Sequence, residues 1–138
     1  MKTAGVGLAL ALALAGCHSP KKLAGADDLH RAARDTASIA RESALLVDQV
    51  QRGHVGADYV WVHQQALQED ARRAAEPLHR AAPDALRGLQ QQVEAASARL
   101  SAGLEHTPLA TAGPDELARL AQVFAQAGAQ AAALRGDK

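Results

Sequence analysis

Apolar residues return at alternating steps of three and four along most of this chain. Four separate stretches keep that rhythm long enough to line one face of a helix. The first is read as a helix from about Asp27 to Gln51. Its stripe is Leu29, Ala32, Thr36, Ile39, Ser43, Leu46 and Val50, widened by Ala33, Ala40 and Val47. Asp27 and Asp28 suit its N-terminus, where carboxylates meet the positive end of the helix dipole. Gly53 suits the position just past its end. The second stretch begins near Asp58 and puts Val60, His63, Leu67, Ala71, Ala74 and Leu78 on one face. Pro77 removes a backbone donor and predicts a kink or an end there. Pro83 opens the third stretch, whose stripe is Leu86, Leu89, Val93, Ala96, Leu100 and Leu104. Residues 105–113, EHTPLATAG, read as a loop. Pro114, Asp115 and Glu116 then start the fourth stretch. Leu117, Leu120, Phe124, Ala127, Ala131 and Leu134 form its inner face, and Gly136 closes it.

Composition supports helix throughout. The apolar material is mostly Ala and Leu, both strong helix formers, whereas strands want β-branched and aromatic residues. Aromatics are scarce here, with one Trp, one Tyr and one Phe, and Asn is absent. Four amphipathic segments with short connections predict an all-α fold, a small antiparallel four-helix up-and-down bundle over residues 27–138. Steps of three and four favour a crossing near +20°. Two other arrangements fit the same pattern. One is a three-helix bundle with a loosely attached C-terminal helix; the other is a long kinked segment joining the second and third helices. Glu69/Arg73, Glu76/Arg80 and Asp115/Arg119 are acid-before-base pairs four apart and mark solvated faces.

The N-terminus is of another kind. Lys2 precedes the uncharged apolar run Val6 to Ala15, too short for a membrane-spanning helix, which needs about 20 residues. A charged start and a short apolar run are the marks of a secretory signal. Leu14-Ala15-Gly16-Cys17 then resembles the lipobox of bacterial lipoproteins. The resemblance implies that residues 1–16 are a signal peptide. It also implies that the Cys17 thiol receives a diacylglyceryl group and that Cys17 becomes the mature N-terminus. Two or three acyl chains there would anchor the protein stably, which one chain does not. The family's sorting rule retains aspartate-following cysteines in the inner membrane. His18 therefore implies the outer membrane, facing the periplasm, with the inner membrane as the alternative. Residues 17–26 read as the lipidated cysteine and a short tether. Lys21 and Lys22 could touch anionic headgroups, but two charges contribute only about 2 kcal/mol there. The stretch is read as a solvated linker.

Loss of Lys2 leaves one more acid than base, so the mature net charge is near −1. No basic excess points to nucleic acid. No cysteine beyond Cys17 is available for a disulfide. HExxH, GxSxG and a glycine-rich phosphate loop are all absent. The acidic pairs Asp27-Asp28, Glu69-Asp70 and Asp115-Glu116 are adjacent residues, about 100° apart on a helix, and do not converge on one substrate. His18, His30, His54, His63, His79 and His106 hold no pair at three or four spacing. Glu76-Pro77-Leu78-His79 matches the Glu-x-x-His of helix-bundle metal sites, but its proline distorts the face. A site across helices, such as His30 with His79, remains open. The expectations are no enzyme, no catalytic residue, no cofactor and no metal.

One cluster stands apart. Tyr59-Val60-Trp61-Val62-His63 holds the only Tyr and the only Trp beside a histidine. Tyr59 and His63 lie one turn apart, so hydroxyl and imidazole could meet. Tyr59, Trp61 and His63 are thus a candidate binding patch. The structural reading makes Trp61 a partly buried cap over the core end, and it is the expectation here, since aromatics usually serve packing. The functional expectation is a membrane-anchored periplasmic lipoprotein with a non-catalytic helical binding or interaction domain and a protein partner. The alternative is a small-molecule or metal carrier using the bundle core or its histidines.

Overall fold

The computed structural model describes residues 22–136. Cys17 and the rest of the lipobox lie outside those residues. Four helices follow one another: α1 (Ala26–Gln51), α2 (Ala57–Ala75), α3 (Arg87–His106) and α4 (Pro114–Ala133), with no strand among the described residues. They form an antiparallel up-and-down bundle. Across α2 and α3, Gln64 meets Leu104 while Leu78 meets Gln90. Across α1 and α4, Ala40 lies against Gly128 while His30 reaches Leu134.

The helix ends follow from local chemistry. Gly25 precedes α1 and donates its N–H to the Asp28 carboxylate at 3.2 Å, which uses one otherwise orphaned donor. Gly53, at φ +66°, lets the chain leave α1 in the left-handed region. Pro77 ends α2 rather than kinking it: the α-helix stops at Ala75, and Glu76–His79 form a short 3₁₀ turn. Pro83 leads a second such turn, Asp84–Leu86, so α3 starts only at Arg87. Pro114 takes the first position of α4, with Asp115 and Glu116 behind it.

The longest helix, α1, packs on all three others, and α4 lies most extensively on α1. α4 also contributes Phe124, the largest fully buried side chain. The loosely attached fourth helix is therefore excluded. The core falls into two parts. The larger holds Ile39, Leu46, Val60, Leu67, Leu100, Leu104, Leu120 and Phe124. The smaller holds Leu29, Ala32, Ala33, Leu78 and Val93 at the end where the tether joins. Thr36, Ala96 and Ala131 are also buried.

Three sequence expectations are corrected. His63 is exposed, and Gln64 takes the buried position between Val60 and Leu67. The 105–113 loop is partly structured: α3 runs to His106, and a turn at Leu109–Thr111 buries Leu109 completely. Ala24, read as tether, is fully buried and donates its N–H to the Ala81 carbonyl at 2.9 Å, so the tether's root belongs to the body. The ion pairs also differ in part. Arg73 reaches Glu69 at 4.0 Å but lies closer to Asp70, at 2.5 Å. Arg80 pairs with Asp28 of α1 rather than Glu76, and Arg119 with Glu116 rather than Asp115. On a helix, three-residue spacing brings side chains as close as four does.

Candidate functional site

The aromatic cluster sits in the first two turns of α2, at the bundle end remote from the tether's root. Its side chains project outward. Trp61 is 58% exposed, Val62 54% and Tyr59 48%. Trp61 is no cap over the core; the buried aromatic is Phe124. The reason is helical phase. Val60, Leu67, Ala71 and Ala74 define the inner face of α2. Trp61 lies about 100° to one side of Val60, and Tyr59 about 100° to the other.

The candidate residues are thus only partly brought together. Tyr59 and His63 meet as stacked rings, with centroids 4.0 Å apart and planes 23° from parallel. Trp61 stands on the opposite flank, toward α3, beside Gln65, Gln68, Glu105 and Pro108 around a notch of about 150 Å³. Val62, between the two flanks, faces straight outward and makes them one continuous surface around the outer half of α2. Sequence reading did not single out Val62. Its signal was its place, opposite the inner stripe yet apolar.

What holds this surface rigid lies directly beneath it. Gln64 is buried, and its amide nitrogen donates to the carbonyls of Leu104 and Thr107, each at 2.7 Å. Its Oε1 accepts the Leu109 N–H at 2.9 Å. Gln68 also donates to Leu104 at 2.7 Å. Two glutamines of α2 therefore satisfy the open C-terminal carbonyls of α3 and fix the α3–α4 connection against α2. Gln90 does the same at the other end, donating to the carbonyls of Leu78 and Arg80 at 2.8 Å each. A glutamine in an apolar register was the sequence signal for both. Next to the clasped connection, Glu116 accepts bonds from Arg119 and from the Thr107 hydroxyl at 2.8 Å. These donors, Arg119 first, hold its carboxyl down to about 2.

Chemically the surface can bind. It offers aromatic faces, exposed amides and the Glu105 carboxylate, which Arg72 already engages at 3.1 Å. The histidines are dispersed. His30 places its Nδ1 on the Leu134 carbonyl at 2.8 Å, at the end of α4. His106 bonds within its own helix, to Ala102. Among the described residues no three His, Cys, Asp or Glu side chains come together as a metal site would require. Comparisons with protein-family models, with curated proteins and with solved structures find no match.

Proposed function

We propose that this chain is a lipid-anchored protein of the outer membrane, facing the periplasm, whose helical body is a non-catalytic interaction module. The outer half of α2 around Tyr59, Trp61, Val62 and His63 is its contact surface for a protein partner. One observation carries the proposal: two of the chain's three aromatic side chains, together with Val62, are exposed on one short segment braced from below. Large apolar side chains grouped at a surface commonly mark an interaction site. Trp and Tyr are frequent binding hot spots. The core supports this reading over a carrier. Its buried polar side chains, Thr36, Ser43, Gln64, Gln90 and Ser97, leave no buried polar atom without a partner among the described residues. None of them is left facing a ligand. No described helix is long and apolar enough to cross a membrane; in this reading the anchor is the lipid on Cys17.

Two experiments test the proposal. Cys17→Ala should abolish labelling by radioactive palmitate; equal label in both chains would remove the anchor. Trp61→Ala should change stability by no more than about 0.5 kcal/mol, as at other exposed positions. The same substitution should abolish the adduct formed in living cells by a photo-crosslinker placed at Val62. A loss near 3 kcal/mol, the cost of deleting a packed aromatic, would return Trp61 to the core and end the contact-surface reading.

A further inference from the structure

An open hollow of about 480 Å³ lies at the other end of the bundle, where the tether enters, lined by Lys22, Leu23, His79, Arg80 and Ala81. Leu23 is 54% exposed. The Ala24 N–H bond to Ala81 fastens the tether's root to the α2–α3 connection, so Lys22 and Leu23 are held beside His79 and Arg80. The 3.5 Å pair between Arg80 and Asp28 holds the guanidinium in place. This hollow combines cationic and N–H donors with an apolar floor, and it opens only a few residues from Cys17.

We propose that this corner is a docking site for the phosphate headgroups of anionic phospholipids. The proposal rests on the lipid-anchor reading above. Lys22, Arg80 and His79 would contact phosphate oxygens while Leu23 and Ala81 enter the acyl boundary. Three observations select a lipid surface as the occupant. Lys22 is five chain steps from the acylated Cys17, a span of at most about 18 Å, so the hollow can always reach the bilayer. Around the corner Lys22, Arg31 and Arg80 outnumber Asp28, and each Lys or Arg near an anionic surface strengthens association about fivefold. The opposite end of the bundle is acidic, with Asp48, Asp58, Glu105, Asp115 and Glu116 against Arg52, Arg72 and Arg119. An anionic bilayer would repel that end. Docked this way, the body stands upright on the membrane. The 26 residues of α1 span about 39 Å, which carries the Trp61 surface away from the headgroups.

The test uses the full lipidated chain reconstituted into vesicles. Because Cys17 is the only cysteine and its thiol carries lipid, Ala85→Cys gives a single dye site on the same α2–α3 connection as His79, Arg80 and Ala81, and Ala57→Cys gives one at the far end. One vesicle set contains phosphatidylethanolamine with phosphatidylglycerol and the other phosphatidylcholine alone, both doped with a headgroup-borne quencher. On the anionic vesicles the dye at position 85 should be quenched more than the dye at 57, and by a larger factor than on phosphatidylcholine, since each Lys or Arg held near the surface strengthens association about fivefold. On phosphatidylcholine, at high salt, and in Lys22→Gln/Arg80→Gln, that excess should shrink to what the short tether alone imposes. If the double variant loses its helical circular dichroism, the comparison between the two lipids decides alone. Equal quenching at both positions, or an excess indifferent to lipid charge, overturns the docking site. Flotation of the protein with the vesicles in that case keeps the anchor reading intact. Failure to float removes the anchor and the docking site together.

Discussion

Gln64 shows how much one side chain does here. It is a polar residue in an apolar register, and it repays its burial by answering two carbonyls and one N–H of the α3–α4 connection. Gln64→Ala leaves the buried Leu109 N–H without its acceptor and opens a space beside Val60 and Leu67. Each net hydrogen bond is worth about 0.5–1.5 kcal/mol, and an orphaned buried donor costs about 1–3. The expected loss is therefore about 2–4 kcal/mol in urea unfolding. Gln65→Ala, one residue away and exposed, should stay within about 0.5 kcal/mol of wild type. Similar losses in the two variants would mean that the clasp contributes nothing beyond helix propensity.

At the scale of the helix, two glycines of α3 carry opposite predictions. A Cβ at Gly103 would lie 2.7 Å from Phe124 Cε1 and 3.3 Å from Val123 Cγ1. The ring is fully buried and cannot swing into solvent. Overpacking of this kind costs about 1–3 kcal/mol. Replacing Gly by Ala within a helix recovers up to about 1 kcal/mol of propensity. The clash wins, and Gly103→Ala should lower the melting temperature. Gly88, in the first turn of the same helix, has nothing within 4 Å of its would-be Cβ. Gly88→Ala should raise stability by about 0.5 kcal/mol. If both variants gain stability, α3 and α4 do not approach as closely as Gly103 and Phe124 require.

Across the whole molecule, acid should loosen both ends of the bundle. Glu116, near the remote end, titrates at about 2 rather than 4.5, chiefly because Arg119 and then Thr107 bond its carboxylate. Asp28, near the tether, is also lowered, first by the Gly25 N–H. A carboxyl whose folded pKa lies below its unfolded value stabilises the fold fully above the unfolded value. That support fades as pH falls toward the folded one. For Glu116 the window runs from about 4.5 down to about 2. Glu116→Gln should therefore flatten the slope of stability against pH within that window, measured from urea midpoints, and leave the slope due to Asp28. Identical slopes would show that Thr107 and Arg119 do not hold the carboxylate in solution.

The helices themselves were legible in the sequence, because what makes and stops a helix acts over three or four residues. Gly53, Pro77, Pro114 and Gly136 punctuate the chain as the backbone rules require, and the stripes of Leu and Ala turn inward as their period dictates. The opposite phases of Tyr59 and Trp61 around α2 follow from residues two apart facing nearly opposite ways, yet the reading of Trp61 as a partly buried cap missed them. The proposal of a lipid anchor rests on sequence alone, on Cys17 and the residues before it. Tertiary structure decided what the rhythm leaves open. A stripe defines a face but not the neighbour it meets, so only packing could turn His63 out and draw Gln64 in. Likewise only packing could bury Leu109 in a proline-flanked turn, or give Arg80 to Asp28 rather than to Glu76. Those outcomes depend on which carbonyl, carboxylate or ring stands across the gap, and that neighbour can lie far along the chain, 40 positions for Gln64 and Leu104.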